Sequence, residues 1–128
     1  MNPLLQVSQH GQQIWLDNLS RTLLKEGHLA RFLAEDGIAG VTTNPAIFHK
    51  AIAGGRYYED ELAALKKTPL SAEARYEALV VPDVQQACDL LLPQYRHSSG
   101  RSGYVSLEVS PALAHDAAGT LAAGLRLK

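Results

Sequence analysis

Three short β-prone runs separated by helical stretches are the feature of this sequence that most restricts its fold. The runs are QIWLD at residues 13–17, IAGVTT at 38–43 and YVSLEV at 104–109. A chain that passes from strand to helix to strand forms right-handed βαβ units, in which neighbouring strands are parallel. Parallel sheets have helices on their faces or close into a barrel. The order of elements therefore predicts an α/β fold with a parallel sheet.

The helical stretches are recognised by apolar spacing and by the glycines and prolines that bound them. Residues 19–33 carry leucines at helical spacing, with a break expected at Gly27 and with Gly37 as the residue that follows the helix end. Pro45 suits the first turn of a new helix, because its missing N–H would be unpaired there anyway. Residues 56–80 are expected to add further helical material, with Ser71 as the N-cap of a second short helix.

The clearest helical pattern is expected to open at Pro82 and to bend or end at Pro93. A last helix is predicted over residues 116–128. The residues expected to face inward in these two helices are Val84, Cys88, Leu91, Leu92 and Tyr95, followed by Leu121, Leu125 and Leu127.

Polar residues stand at the carboxyl end of every predicted strand. The first strand ends on Asp17, the second runs into Thr42, Thr43 and Asn44, and the third carries Glu108. Ligands bind at the carboxyl ends of parallel strands, so these side chains are expected to converge on one pocket. Carboxylates there can move protons, and an asparagine amide suits a polyhydroxylated substrate. The pattern predicts catalysis on such a substrate.

Each polar residue also has a structural explanation. Asp17 can cap the following helix, and the segment from Thr42 to Pro45 can be a turn with Asn44 as N-cap. Glu108 is harder to explain in this way, because Leu107 and Val109 beside it are expected to be buried. Burying an unpaired charge costs several kcal/mol, so a functional role is favoured for this residue.

Length and charge restrict the organisation and the partners. The chain has 128 residues, which suits one domain. Twelve basic and thirteen acidic residues give a net charge of −1, which provides no reason to expect nucleic acid or an anionic membrane as partner. No apolar run approaches the about 20 residues of a membrane span.

The cysteine, the histidines and the start of the chain bear on location and cofactors. The single Cys88 rules out an internal disulfide, fits a reducing compartment and is interpreted as a small buried helix residue. The histidines at positions 10, 28, 49, 97 and 115 lack metal-ligand spacing. The first residues lack a basic segment followed by an apolar core, so no signal peptide is expected. We expect a cytoplasmic protein.

Four motifs resemble one enzyme family. The segments WLDNLSR, GVTTNPAIFHKAI, DVQQACDLLLPQY and GYVSLEVSPALAHD resemble the N-terminal part of bacterial transaldolase in its longer form. The resemblance runs from about residue 2 to the end of the chain. It implies a (β/α)8 TIM barrel, of which residues 1–128 would be a single partial domain with about the first three βα units.

The resemblance also implies a reaction. Transaldolases of the pentose phosphate pathway transfer a dihydroxyacetone unit from sedoheptulose 7-phosphate to glyceraldehyde 3-phosphate, giving erythrose 4-phosphate and fructose 6-phosphate. The donor forms a Schiff base with a lysine, and no metal or organic cofactor is needed. By resemblance, Asp17 is the acid/base, Asn44 holds a substrate hydroxyl, and Glu108 works with a water. Thr42 and Thr43 are expected to line the pocket.

The Schiff-base lysine is not expected among the lysines of this chain, and the resemblance places it on the strand beyond residue 128. The lysines at positions 25, 50, 66 and 67 fall in helical stretches and are interpreted as surface residues, and Lys128 ends a helical pattern. A TIM barrel needs about 250 residues. We therefore expect no activity from this chain alone, and self-association through exposed sheet edges.

Two alternatives remain. The first is a non-catalytic sugar-phosphate-binding or self-assembling module built on the same residues. The second is another Schiff-base aldolase of small sugar phosphates, which is less favoured because WLDN, TTNP and SLEVS occur together.

Overall fold

The structure, a computed structural model, describes residues 2–128 and has an α/β architecture. The elements in chain order are α1 (Pro3–Val7), β1 (Trp15–Asp17), α2 (Arg21–Lys25), α3 (His28–Glu35), β2 (Gly40–Thr42), α4 (Pro45–Ala53), α5 (Glu59–Lys66), α6 (Ala72–His97), β3 (Tyr104–Ser106) and α7 (Ala117–Leu127), with 3₁₀ turns at Ser8–His10 and Pro111–Leu113.

The three strands form one parallel sheet in the order β1-β2-β3. Leu16 lies opposite Val41, and Val41 lies opposite Val105. The predicted parallel sheet is confirmed, although each strand is shorter than its apolar run. Beyond β3 the chain leaves the sheet after Ser106, whose carbonyl oxygen accepts a hydrogen bond from the Thr43 N–H.

The two faces of the sheet differ because side chains alternate along each strand. Leu16, Val41 and Val105 belong to the core or pack against it. On the other face Trp15 and Tyr104 remain 37% and 46% exposed. The indole ring of Trp15 lies where a side chain on Gly40 would be, since a Cβ added there would come within 2.5 Å of the ring. We call this second side, on which Trp15, Asp17, Thr42 and Tyr104 lie, the open face.

The core lies between the sheet and the helices. Its buried apolar residues are Leu19, Leu23, Leu24, Leu29, Val41, Phe48, Tyr58, Leu79, Val80, Ala87 and Leu91. Leu19, Leu23 and Leu29, which the sequence places at helical spacing, are all buried. Gly37 follows the end of α3 with φ of 66°, as predicted from its position.

Helix α6 is longer than the sequence predicted. It begins at Ala72 with Ser71 as N-cap and runs to His97 through both Pro82 and Pro93. The prediction that Pro82 opens a helix is therefore wrong, as is a helix end at Pro93. Both prolines are exposed and stand three turns apart on one side, so water can reach the carbonyl groups that they leave unpaired.

The buried side of α6 also differs from the prediction. Leu91 is buried as expected, but Cys88, Leu92 and Tyr95 are exposed. The last helix shows the same effect, with Leu121 and Leu125 64% and 67% exposed. Their inward orientation was predicted from spacing, which locates an apolar stripe without showing that another element covers it.

A buried ionic network ties α2 to α6. Arg21 Nε donates to Asp83 Oδ1 at 2.9 Å, and Tyr58 Oη donates to Asp83 Oδ2 at 2.7 Å. Burial disfavours the charged form of Arg21, but its hydrogen bonds to Asp83 and Glu61 outweigh this and keep its pKa above the ordinary value. Burial, followed by the bond to Asp83, raises the pKa of Tyr58.

None of the helices between residues 2 and 128 is both long and apolar enough to cross a lipid bilayer.

Candidate active site at the carboxyl edge of the sheet

The last residues of the three strands lie side by side at one edge of the sheet. Asp17 lies opposite Thr42, and Thr42 lies opposite Ser106. Thr42 Oγ1 donates to Asp17 Oδ1 at 2.9 Å. The structure thus brings together two of the residues that the sequence singled out, and it places both on the open face.

Asp17 does not cap the helix that follows it. The N-cap of α2 is Ser20, whose hydroxyl accepts from the Leu23 N–H at 3.1 Å. The structural explanation considered for Asp17 is therefore wrong. The exposed Asp17 carboxylate is held by Thr42 at the edge where ligands bind in parallel α/β sheets.

Thr43 has a structural task. It is 3% exposed, and both its N–H and its hydroxyl donate to the Ser106 carbonyl oxygen, at 3.1 and 2.8 Å. These two bonds join the ends of β2 and β3. The Thr43 hydroxyl therefore already has an acceptor in the structure, whereas Thr42 beside it lies on the open face.

Asn44 is the N-cap of α4, with Pro45 in the first helical turn. Its Oδ1 accepts from the Ala46 N–H at 2.8 Å, which fixes the orientation of the amide group. The cap uses the carbonyl oxygen, so the side-chain nitrogen is the group left to donate to a ligand. The capping explanation for Asn44 is confirmed and is compatible with ligand binding.

Glu108 lies beyond the end of β3 and is exposed, and Leu107 and Val109 beside it are only half-buried, so the expected burial of this segment is wrong. It lines a cavity of about 320 Å³ together with Tyr76 of α6 and His49 of α4. Burial raises the pKa of Tyr76, and the negative charge of Glu108 adds to this effect. The Tyr76 ring packs edge-on against Phe48, with ring centroids 6.2 Å apart.

Asp17 lines a different cavity, of about 510 Å³, between the end of β1 and α4. Lys50 and Arg56 also line it. The structure thus places Asp17 and Glu108 in separate cavities at the same end of the molecule. The sequence pattern did not predict that Tyr76 and Lys50 line these cavities, because neither residue follows a strand end. Helical spacing does not show which residues of a helix lie near the site.

The described residues offer no metal centre, since no group of three or more His, Cys, Asp or Glu side chains among them could hold an ion. The candidate residues are two carboxylates, which line separate cavities, an amide and a threonine hydroxyl. Such groups can transfer protons and hold hydroxyl groups of a substrate.

Comparison with known proteins identifies the family. Residues 14–128 match the family described as Transaldolase/Fructose-6-phosphate aldolase. The chain is 54% identical over 127 residues to a transaldolase of Thiobacillus denitrificans, covering 99% of this chain and 35% of that protein. It is also 54% identical over 127 residues to a transaldolase of Neisseria gonorrhoeae, with 99% and 36% covered. A protein named transaldolase 2 from Nostoc punctiforme is 44% identical over 125 residues, with 98% and 33% covered.

The chain spans about a third of the length of the curated relatives it matches. Its parallel three-stranded sheet agrees with the first βα units of the TIM barrel on which this family is built. The chain belongs to the transaldolase/fructose-6-phosphate aldolase family.

Proposed function

We propose that this chain provides the acid–base and hydroxyl-binding part of a cytoplasmic transaldolase site. The reaction transfers a dihydroxyacetone unit from sedoheptulose 7-phosphate to glyceraldehyde 3-phosphate through a lysine Schiff base. The proposal rests on the Asp17 carboxylate, which Thr42 Oγ1 holds at the carboxyl edge of the sheet. It is supported by the identity of 54% to the Thiobacillus denitrificans transaldolase.

Asp17 is the proposed acid/base. The Thr42 hydroxyl donates to one carboxylate oxygen and so restricts the rotation of the carboxylate. A fixed carboxylate can take the proton from a substrate hydroxyl as the neighbouring carbon–carbon bond breaks, and return it in the reverse direction. Thr42 is a positioning residue in this scheme.

Asn44 is proposed to hold a hydroxyl group of the dihydroxyacetone unit through its side-chain nitrogen. The cap on α4 keeps the amide in one orientation, so little rotamer entropy is lost when the substrate binds. Glu108 is proposed to work with a water molecule during formation and hydrolysis of the Schiff base.

The nucleophilic lysine is not among the lysines that the structure describes. Lys50 shares a cavity with Asp17, but it is exposed, whereas a nucleophilic lysine needs a desolvated or cationic setting. Lys25, Lys66, Lys67 and Lys128 are exposed as well. We propose that the 128-residue chain is inactive alone, and measurable conversion of fructose 6-phosphate and erythrose 4-phosphate by the pure chain would refute this.

A covalent chimera tests the assignment of the site. In it, this chain replaces the 127 aligned residues of the Thiobacillus denitrificans transaldolase. We expect transaldolase activity, and we expect Asp17→Asn to lower kcat by about 10²- to 10⁴-fold, the usual contribution of a general acid–base group. The matched control is Asp60→Asn, at an exposed position in the first turn of α5.

The chimera also separates the two tasks of Asn44. Asn44→Asp keeps a cap acceptor for α4 but removes the amide donor. We expect kcat/KM to fall about tenfold, as for loss of one hydrogen bond, while the melting temperature changes little.

An active chimera in which Asp17→Asn and Asp60→Asn behave alike would refute the assignment.

A second candidate is a self-assembling module without catalysis. It is favoured by the exposed Leu121 and Leu125 and by the unpaired edge of β3 within residues 2–128. It requires only association of copies of this chain, and an inactive chimera together with stable homo-oligomers would support it.

A further inference from the structure

We propose that the cavity between the end of β1 and α4 binds a phosphate group, either free or on a sugar phosphate, through Lys50, Arg56, Asn18 and Thr22. We call it the β1–α4 cavity. Asp17 lines it as well, but the inference goes beyond the proposed function, because binding of the phosphate does not require Asp17 to be catalytic.

The size and the charge of the β1–α4 cavity suit a small anionic ligand. Its volume is about 510 Å³, which is typical of pockets that hold small molecules. It contains two cationic side chains and one carboxylate, so its local charge is positive. The residues that line it are Asp17, Asn18, Ser20 and Thr22, which follow or end β1, and Ile47, Lys50, Ala51, Gly54 and Arg56, which follow β2.

Two of the polar side chains that line the cavity have no partner within the protein. Asn18 and Thr22 are half-buried, and neither side chain has a hydrogen-bond partner among residues 2–128. Ser20 between them is already used, since its hydroxyl accepts from the Leu23 N–H. Polar groups that are partly removed from water are normally satisfied by protein, by water or by a ligand. The Asn18 amide and the Thr22 hydroxyl can each donate to an oxygen of an anion.

Lys50 brings a positive charge that no neighbouring carboxylate balances. It lies in the last turn of α4 and is exposed. Within the part of the chain that the structure describes, its ammonium group forms no ion pair. An ammonium group has three donors, and lysine commonly binds phosphate as a point charge. Lys50 is therefore available to an anion in the cavity.

Arg56 is held in one orientation beside the cavity. Its Nη2 lies 2.6 Å from Glu26 Oε1, and its guanidinium carbon lies 5.3 Å from the centroid of the Tyr57 ring. Tyr57 has φ of 68°, a left-handed conformation that is strained for an aromatic residue. Strained residues of this kind cluster at ligand-binding segments. A guanidinium group has five donors, so the ion pair with Glu26 leaves donors for a ligand.

A phosphate group matches this set of donors better than a carboxylate does. It offers three terminal oxygens and nearly two negative charges, whereas a carboxylate offers two oxygens and one charge. The ammonium and guanidinium groups come from one side of the cavity, and the amide and hydroxyl groups come from the other. A ligand with several oxygens can bind both sides at once. The volume of the cavity also leaves room for a sugar attached to the phosphate.

An NMR titration of the nitrogen-15-labelled chain with inorganic phosphate tests the proposal. The Leu121→Glu/Leu125→Glu variant is used, because the two exposed leucines of α7 promote association and lie outside the cavity. Ionic strength is kept at about 0.15 M, so that general screening does not change. We expect saturable shifts of the amides at 18–22 and 47–56, with a Kd of about 1 mM. Shifts that do not saturate, or that saturate elsewhere, would overturn the proposal.

Three probes identify the source of the phosphate group: inorganic phosphate, fructose 6-phosphate and fructose. We expect fructose 6-phosphate to bind at least tenfold more tightly than inorganic phosphate, because its hydroxyl groups can use the rest of the cavity. Equal affinities of these two would support the phosphate site and assign it to free phosphate. Fructose is expected to leave the amide shifts unchanged, and equal binding of fructose and fructose 6-phosphate would contradict a phosphate site.

Two pairs of variants test the residues. We expect Lys50→Gln to weaken phosphate binding about tenfold, as for loss of one charge-assisted hydrogen bond, and Lys66→Gln in α5 to leave it unchanged. Equal effects would show attraction by net charge alone and would refute the site. Thr22→Val is expected to weaken binding about fivefold, and Thr22→Ser, which keeps the hydroxyl, to restore it. Lys50 is exposed and Thr22 half-buried, so all four variants are expected to fold.

This proposal and the proposed function fail in different ways. Saturable phosphate binding by the chain together with an inactive chimera would contradict the assignment of the active site and leave the phosphate site intact. An active chimera together with no saturable binding by the chain would overturn the phosphate site and leave the role of Asp17 intact.

Discussion

Arg21 shows how a charged side chain becomes part of the core. It is 8% exposed, and it also donates to the Leu79 carbonyl oxygen at 2.9 Å. Its guanidinium stands over the Tyr58 ring, 4.3 Å from the centroid. The hydroxyl of that tyrosine accepts from the backbone N–H of Arg21 at 2.8 Å. Each polar group is thus satisfied by its neighbours, so loss of one member leaves others unpaired.

Asp83→Asn tests this dependence. The change leaves the Arg21 charge without the one of its two carboxylate partners that is buried, so we expect the free energy of unfolding to fall by about 3–5 kcal/mol. Glu61→Gln removes the other carboxylate, whose side chain is 43% exposed. We expect this change to lower the free energy of unfolding by less than about 1 kcal/mol. Urea unfolding followed by circular dichroism measures both, and similar losses in the two variants would contradict the expectation.

The sequence predicted one contact between candidate residues at the strand ends but not the surroundings of Glu108. Asp17 and Thr42 were predicted to meet because strand ends in a parallel sheet share one edge, and the structure confirms that they do. The burial of Glu108 was predicted wrongly, because the apolar run YVSLEV does not reveal that pairing stops at Ser106. Strand length depends on partners across the sheet, and those are not encoded locally.

At the level of elements, Gly103, just before β3, lies close against the backbone of α6. This residue has φ of 88°, and its N–H donates to the Ala39 carbonyl oxygen at 2.7 Å. A Cβ added there would lie 2.5 Å from the Tyr95 nitrogen and 2.9 Å from the Leu91 oxygen. Both neighbours are helix backbone, which cannot move as a side chain can.

Gly103→Ala is therefore expected to destabilise the protein by more than the backbone conformation alone explains. The matched control is Gly27→Ala, where φ is 75° and a Cβ would meet nothing within 4 Å. In the control we expect the free energy of unfolding to fall by about 1–2 kcal/mol, because alanine disfavours the left-handed conformation. In Gly103→Ala we expect it to fall by clearly more. Equal costs in thermal or urea unfolding would show that β3 can move away from α6.

The attachment of α7 is expected to depend on pH. The hydrogen bond from Arg126 lowers the pKa of Glu77 below its ordinary value. A carboxylate with a depressed pKa in the folded state contributes stability above the unfolded pKa of about 4.3 and loses that contribution as the pH falls through the lower folded value. The tether between α6 and α7 should therefore weaken in acid.

A carbon-13 NMR titration of the Glu77 carboxyl group measures this effect. We expect its pKa to rise in the Arg126→Gln variant, and we expect the α7 amide shifts to follow the Glu77 titration in the unaltered protein. Lys66→Gln, which removes a positive charge from the end of α5, is the control. An unchanged Glu77 titration in Arg126→Gln would show that the ion pair does not persist in solution.

The length of α6 could not be predicted from the sequence pattern. Pro82 and Pro93 were predicted to be helix boundaries because each removes a backbone donor. Both lie inside the helix, on its exposed side. Packing of Leu79, Val80, Ala87 and Leu91 stabilises the helix across them. Whether a proline ends a helix therefore depends on tertiary burial, which no local pattern contains.

As a whole molecule, the chain has a covered side and an open side. Helices protect the apolar side of the sheet, whereas Trp15, Tyr104, Leu121 and Leu125 remain exposed. Surfaces of this kind promote association. The parallel sheet could be predicted from the βα order, because that order is local, whereas the eightfold barrel was implied only by the resemblance of the motifs to the family. The exposed surfaces could not be predicted, because helical spacing does not show whether another element covers an apolar stripe.

The isolated chain is therefore expected to self-associate as its concentration rises. Light scattering over a dilution series should show a mass that increases with concentration, and the double variant Leu121→Glu/Leu125→Glu should remain closer to the 13.8 kDa monomer. Leu70→Glu changes a leucine that is also exposed, at 41%, outside α7, and serves as control. A monodisperse monomer with a cooperative melt would contradict this expectation.

The position of Trp15 across Gly40 has an optical consequence. It is the single tryptophan of the chain, and its indole lies at the sheet surface with water on one side. Indole emission moves to shorter wavelength when water is replaced by protein. The intrinsic fluorescence of this protein is thus a built-in reporter of whether its open face is covered, readable without any label.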